Sequence, residues 1–303
     1  MNEEKGFKSG YVAIIGRPNA GKSTLINAIL GERLSIVTEK PQTTRHRIRG
    51  LLNDAGSQII FFDTPGYHRS HKPLNEAMND IVDSVINDAD VVCLLIPANH
   101  VDEDGIEKGL FERIGSERAL IVINKADLVS HAELETKILK YRDAWGAKEL
   151  MVISALQKIG MGELVEAIKG RLPEGPKYFP DDIFTDHSVR FLVAELIREQ
   201  LFLQMHQELP YSAAVEIEEF TDATEDDPIF RIKAAIIVEK DSQKGMVIGK
   251  GGTRIKEIGS RSREAIEELV GGKVFLQLFV RVEYNWTKDP GSIRKFGYTN
   301  QVD

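Results

Sequence analysis

Gly16-Arg17-Pro18-Asn19-Ala20-Gly21-Lys22-Ser23 constrains this chain more than any other stretch, because it fits the spacing G-x-x-x-x-G-K-[ST]. The pattern has physical meaning only between a strand and a helix, and both flanks comply. Tyr11-Val12-Ala13-Ile14-Ile15 is a short continuous apolar run of the kind that forms a buried strand. Thr24-Leu25-Ile26-Asn27-Ala28-Ile29-Leu30 carries apolar residues at helical spacing and is followed by Gly31, suited to a C-terminal cap. Glycines let backbone N–H groups wrap phosphates closely, and the helix N-terminus adds partial positive charge. Lys22 then reaches the outer phosphates as a point charge, and the Ser23 hydroxyl ligates Mg2+.

Short apolar runs at 11–15, 59–62, 91–96, 119–123 and 150–153 alternate with helical stretches, which predicts a mostly parallel sheet covered by helices on both faces. In such sheets ligands bind at the carboxyl ends of the strands, so the strand exits carry the functional information. Ile59-Ile60-Phe61-Phe62 runs into Asp63-Thr64-Pro65-Gly66, where a carboxylate can hold Mg2+ and Gly66 can offer an unobstructed N–H to a terminal phosphate. The run at 119–123 leads into Asn124-Lys125-Ala126-Asp127. Asp127, taken as a buried carboxylate, accepts from the N1–H and 2-amino group of guanine; adenine lacks both donors, so the nucleotide is read as GTP or GDP. Ser154-Ala155 ends the last run and offers backbone N–H groups to guanine O6. The polar loop Lys40-Pro41-Gln42-Thr43-Thr44-Arg45-His46-Arg47 supplies a second hydroxyl for Mg2+, that of Thr44, with Thr43 the alternative, and would act as a nucleotide switch.

At 303 residues two modest cores are expected. The Pro/Gly-rich segment 173–183 reads as a linker between a first domain at 1–172 and a second at 184–303. The single cysteine, Cys93, lies in an apolar run and reads as a core residue of a reduced protein. No targeting segment or membrane-length run is evident, so a cytoplasmic location is expected, with peripheral membrane contact compatible with it.

The formal net charge of −8 excludes a wholly basic nucleic-acid coat, so RNA contact must come from a local patch. Residues 240–263 provide one: seven Lys or Arg minus Asp241 and Glu257 gives +5. By contrast, 208–227 holds eight acidic and no basic residues and should face away from a polyanion. Within the basic segment Ile248-Gly249-Lys250-Gly251-Gly252-Thr253-Arg254 contains G-x-x-G, a loop that lets a sugar-phosphate backbone approach while an adjacent apolar groove holds unstacked bases. Lys244, Ile248, Gly249, Lys250, Gly251, Gly252 and Arg254 are the candidate RNA contacts. The order helix, two strands, helix, G-x-x-G, helix, strand is that of a type II KH domain.

Taken together, Gly16 to Ser23, Thr44, Asp63 to Gly66, Asn124 to Asp127, Ser154-Ala155 and Gly249 to Gly252 resemble the motifs of the Era family of bacterial GTPases, over about Tyr11 to Trp286. The resemblance implies an α/β P-loop GTPase domain followed by a smaller α+β type II KH domain. It also implies binding to the 3' end of 16S rRNA and a role in small (30S) subunit assembly, with GTP/GDP and Mg2+ as cofactors and a monomeric state. Gly16 to Thr24, Asp63 to Tyr67, Asn124 to Asp127 and Ser154-Ala155 are then the nucleotide contacts, with Lys22, Ser23, Thr44, Asp63 and Gly66 the catalytic set. Tyr67 stands where Ras-type proteins place a water-orienting glutamine, so unaided turnover is expected to be slow, the missing alignment coming from a partner or a backbone-held water. Similarity to potassium-dependent relatives suggests K+ beside Asn19. A different class of reading is a GTP-switched signalling or cell-cycle regulator whose C-terminal domain binds protein or membrane. His68 and His71 read as a polar loop rather than a zinc set, and Asp102-Glu103-Asp104 as solvated surface. Trp286 reads as an RNA contact or a packed tail anchor.

Overall fold

The computed structural model describes residues 6–299 apart from 33, 39, 41, 71 and 206. Residues 6–70 and 75–186 form the body of one compact unit, and residues 187–298 that of a second. The first is built from β1 (Lys8–Ile15), α1 (Lys22–Leu30), β2 (Ile48–Asn53), β3 (Ser57–Asp63), α2 (Pro73–Asp88), β4 (Val91–Pro97), α3 (Ile106–Ile114), β5 (Ala119–Asn124), α4 (His131–Leu139), β6 (Glu149–Val152) and α5 (Met161–Arg171). Its sheet runs β2-β3-β1-β4-β5-β6, parallel except where β2 meets β3. Ala13 and Ile15 of β1 join Val82 and Val85 of α2 and Leu110 and Phe111 of α3 in one core. Helix α1 packs on β2 and β3 and beside α5. Cys93 is fully buried, and burial pushes its thiol up to about 12.

Strand β2 was not legible in the sequence. Ile-Arg-Gly-Leu-Leu-Asn alternates poorly, and its glycine weakens strand propensity. Gly50 is there because of what lies above it: a Cβ would sit 2.5 Å from the Leu30 side chain and 2.6 Å from that of Leu34. A tight turn joins β2 to β3, the Asp54 side chain accepting from Gly56 N at 2.9 Å and Ser57 Oγ at 3.0 Å.

The segment expected as a linker lies along this edge. Ser9 N donates to Pro173 O (3.1 Å) and Leu51 N to Phe184 O (2.9 Å), while buried Gln58 accepts from Tyr178 N and Phe179 N and donates to Phe179 O. Prolines lack a donor, so this strap bonds mainly through carbonyls and side chains. The compact division accordingly falls after Asp186, a few residues beyond the expected linker.

The second unit contains α6 (Val189–Gln204), β7 (Ala214–Thr221), β8 (Ile229–Val238), α7 (Asp241–Ile248), α8 (Thr253–Val270), β9 (Lys273–Val282) and α9 (Pro290–Lys295). The sheet order is β7-β8-β9, with β7/β8 antiparallel and β8/β9 parallel. Val193, Ile197 and Leu201 of α6 and Ile258 and Ile266 of α8 cover Ile232, Ala234 and Ile236 of β8. Trp286 is an anchor: it is fully buried, its indole N–H donates to Ser212 O at 2.9 Å, and Phe296 and Tyr298 pack on its ring. Among the described residues no helix is long and apolar enough to cross a membrane.

Candidate functional site

At the carboxyl end of β1 the chain leaves the sheet through Gly16 and re-enters regular structure at Lys22. Gly21, at φ 96°, precedes α1, and a Cβ there would come within 2.4 Å of the Asn124 side chain. Gly31 caps α1 at φ 73°, its N–H donating to Asn27 O. Lys22 folds back beneath the loop, donating to Arg17 O at 3.1 Å and Gly16 O at 3.4 Å. Burial lowers its ammonium to about 8, against the opposing attraction of Asp63.

Three oxygens from three segments converge beside it. Ser23 Oγ donates to Asp63 Oδ2 at 2.7 Å, the Ser23 and Thr44 hydroxyls lie 2.9 Å apart, and Thr44 Oγ1 donates to Asp63 Oδ2 at 3.3 Å. Asp63 is fully buried, and burial raises its carboxyl above the usual range despite Ser23 and Lys22 nearby. Its Oδ1 has no hydrogen-bond partner. Hard oxygen donors around a buried, half-satisfied carboxylate fit Mg2+, which would stabilise the ionised form that burial penalises. Thr43 instead bonds Thr38 Oγ1 and Lys40 O, so of the two expected threonines it is Thr44 that reaches the cluster.

The exit of β3 is laid on the phosphate loop. Thr64 Oγ1 donates to Ile14 O at 2.8 Å and Tyr67 N to Gly16 O at 3.0 Å. A Cβ at Gly66 would meet Pro18 at 2.6 Å, so only glycine permits this approach. The cavity so formed is lined by Pro18, Asn19, Thr24, Gln42, Pro18's neighbour across the gap Gly66, and the Lys22–Ser23 pair. Pro65 follows Thr64 in this exit, while the half-buried Tyr67 ring packs against the core between the sheet, α2 and α3.

Around the base pocket the geometry differs from expectation in two respects. Asp127 is exposed rather than buried; its carboxylate accepts from Ser154 Oγ at 2.5 Å. The amides expected to meet guanine O6 have internal partners, Ala155 N donating to Asn124 Oδ1 (3.0 Å) and Ser154 N to Ile159 O (3.1 Å). Asn124 is thus a clamp, since its Nδ2 also donates to Ala20 O at 2.9 Å and ties the phosphate loop to the 154–155 turn. Lys125, at φ 62°, is half-buried and lowered by burial, with Asp127 opposing; Ala126 N donates to Ile153 O.

Sequence reasoning also missed an anchor for Arg17. Its Nη2 donates to Asp104 Oδ2 at 2.7 Å, and Nη1 lies 3.9 Å from fully buried Glu107. The run 102–104 is therefore more than solvated surface: Asp102 accepts from Glu107 N and Lys108 N at the start of α3. No local signal joins residues 87 positions apart. His68 bonds Gly66 O and Gln42, and His71 lies outside the described residues. Among the described residues no cluster of three or more His, Cys, Asp or Glu is arranged to hold a metal.

In the second unit α7 ends at Gly249 (φ 72°), and Lys250–Gly252 forms a tight turn with Gly251 at φ 61° and Gly252 at φ 78° before α8 begins. Nothing lies within 4 Å of a Cβ at Gly251, so the turn is open to an approaching backbone. Lys250 and Arg254 are exposed, Lys244 and Ile248 partly so, and Arg254 Nη1 donates to Met246 O at 3.0 Å. Alongside, α8 and β9 form a cleft of about 380 Å³ lined by Ile255, Gly259, Leu276 and Leu278 together with the cations Lys256 and Arg263. The acidic residues of β7 are taken up within the sheet, Glu216 and Glu218 by Arg281 and Glu219 by Lys233.

Comparison with known proteins followed the same division. Residues 11–125 match the family described as "50S ribosome-binding GTPase" and residues 208–287 the family described as "KH domain". GTPase Era of Geotalea uraniireducens is 47% identical over 299 residues, covering 97% of this chain and 99% of that protein. GTPase Era of Syntrophus aciditrophicus is 47% identical over 295 residues, covering 96% and 95%. Among solved structures, Era in complex with MgGDPNP and nucleotides 1506–1542 of 16S ribosomal RNA superposes with a TM-score of 0.90 at 36% identity, covering 97% of this chain and 99% of that one. A tyrosine-to-alanine variant of Aquifex aeolicus Era bound to GDP and aluminium fluoride gives 0.91 at 36% identity, covering 97% and 100%.

Proposed function

Because this chain belongs to the Era family of GTPases, we propose that it hydrolyses GTP and grips the 3' end of 16S rRNA through its KH domain, acting in 16S rRNA processing and assembly of the small ribosomal subunit. One observation carries the reading: a buried Asp63 bridged by Ser23 and Thr44 beneath a phosphate loop occurs in the same chain as an open G-x-x-G turn beside a cleft lined in part by Lys256 and Arg263.

The division of labour follows from the donors present. Gly16 to Thr24 cradle the phosphates, and Lys22 exchanges its two carbonyl partners for phosphate oxygens. Ser23, Thr44 and Asp63 would hold Mg2+, which when bound would neutralise charge developing on the phosphates. The Gly66 N–H faces the terminal phosphate, while Thr64 and Tyr67, on either side of Pro65 and Gly66, fix that segment on β1 and the loop. Asp127 reads guanine through N1–H and the 2-amino group, and Lys125 covers the base with its stem. Asn124 supports the Ser154-Ala155 turn, whose amide must be shared with O6. A potassium ion beside Asn19, held at φ 60° in the loop, is the finer part of the proposal. The working form is taken as a cytoplasmic monomer, and peripheral membrane contact is compatible with it.

The test is binding of an RNA carrying the 3' end of 16S rRNA to the full chain. Replacing Lys250 and Gly251 together by aspartate puts negative charge in the turn and should weaken binding at least about 100-fold, lowering the salt slope by about 1 per lost phosphate contact. Undiminished RNA affinity in that variant would place the RNA site elsewhere and favour a signalling role for the second unit.

A further inference from the structure

Hydrolysis needs an acceptor that turns the attacking water toward the γ-phosphorus. Position 67 does not supply it, because the Tyr67 ring is turned into the core, where the Arg113 guanidinium lies 6.0 Å from its centroid. Two carboxamides line the phosphate cavity, those of Asn19 and Gln42. Asn19 belongs to the phosphate loop itself. Gln42 comes from the facing polar loop, two residues before Thr44, with its backbone at φ 59°, an uncommon conformation for a non-glycine residue.

A histidine fixes how that carboxamide is presented. His68 Nδ1 lies 2.8 Å from Gly66 O, and a carbonyl can only accept, so Nδ1 carries the proton. In the neutral ring Nε2 is then an acceptor, and Gln42 Nε2, 3.2 Å away, donates to it. With its amide nitrogen engaged in this way, Gln42 turns its Oε1 away from the imidazole. The main chain that carries the ring is in turn held by α2, since Asn79 Nδ2 donates to His68 O at 2.9 Å and Asn79 Oδ1 accepts from His68 N at 3.4 Å. Gln42 and Gly66, one on each loop beside the phosphates, are therefore bridged by a single imidazole.

We infer that Gln42 is a catalytic residue that orients the attacking water through Oε1, and that His68 is its positioning residue. In the step so assisted, the water oxygen forms a bond to Pγ while the bond from Pγ to the β–γ bridging oxygen breaks, its electron pair leaving with GDP. A water proton passes to a phosphoryl oxygen, so GTP and water give GDP and dihydrogen phosphate. Gln42 accepts a hydrogen bond and takes no proton. The inference rests on the GTPase reading, and wild-type turnover and GDPNP affinity measured in parallel separate its failure from the failure of that reading.

Single-turnover and steady-state kinetics on the full chain test it. Gln42→Ala should lower kcat about 100-fold with KM and GDPNP affinity within about threefold of wild type, and His68→Ala should lower kcat at least about 10-fold. The double variant should be no slower than Gln42→Ala, because His68 acts through Gln42. Affinity for GDP with aluminium fluoride should fall in Gln42→Ala while affinity for GDP alone holds. Nitrogen-15 spectra of the nucleotide-free protein should show His68 protonated on Nδ1. Wild-type kcat in Gln42→Ala, losses that multiply in the double variant, or an Nε2-protonated His68 would each overturn the assignment.

Discussion

Glu107 offers a stability measurement whose size and sign come from its surroundings. The side chain is fully buried, neither carboxylate oxygen has a hydrogen-bond partner, and the nearest cation, Arg17, stands 3.9 Å away. Burial, followed by repulsion from Asp102, pushes its carboxyl up from 4.5 to about 7, with Arg17 and Lys137 opposing. A folded-state pKa above the unfolded one means that the native protein holds the proton more tightly. The stabilising contribution is therefore full below pH 4.5 and is lost as pH rises to about 7, at about 1.4 kcal/mol per pH unit. The ionised carboxylate then costs about 3 kcal/mol at pH 8. Glu107→Gln, which keeps the shape and removes the charge, should raise stability by about 1–3 kcal/mol at pH 8 and change it little at pH 4. Urea unfolding followed by Trp145 emission in a Trp286→Phe background reads the first unit, because Trp145 packs 4.7 Å from Tyr141 and 5.5 Å from Phe111. A variant destabilised equally at both pH values would show that attraction to Arg17 outweighs burial, and would refute the reasoning.

Two further outcomes concern the nucleotide. Lys22 is lowered to about 8 before nucleotide binds, and phosphates favour its charged form, so binding takes up a proton above that pH. GDP affinity should hold up to pH 7 and fall about tenfold by pH 9, as read by calorimetry in buffers of different ionisation enthalpy; a constant Kd would contradict it. If potassium sits beside Asn19, turnover in potassium salts should exceed that in sodium salts several-fold, and equal rates would remove the ion from the account.

What could be read from the sequence was what lies close together along it. The phosphate loop, Asp63 to Gly66, Asn124 to Asp127 and the G-x-x-G turn each sit within a few residues of a strand or helix end, so spacing alone locates them. Spacing did not separate Thr43 from Thr44; their partners do, Thr44 meeting Ser23 and Asp63 while Thr43 meets Thr38 and Lys40. Long-range partners left no such trace. The Arg17–Asp104 pair, the Asn124 clamp onto Ala20 and the strap on β2 join residues that only the folded sheet brings together. Strand β2 was hidden because Gly50 answers to packing under α1 rather than to strand propensity. The exposure of Asp127 was hidden for a related reason: it depends on the turns around it, and its spacing within the motif is silent on burial.

The central claim is that the strand ends of the first unit recognise guanine through Asp127, and titration calorimetry with GDP, XDP and ADP in magnesium buffer tests it most directly. Wild-type protein should bind GDP and neither XDP nor ADP at comparable concentration. Asp127→Asn should lose at least about 100-fold for GDP and gain XDP, whose carbonyl accepts where guanine donates. Wild-type protein that binds ADP as tightly as GDP, or an Asp127→Asn variant that binds GDP undiminished, would contradict it.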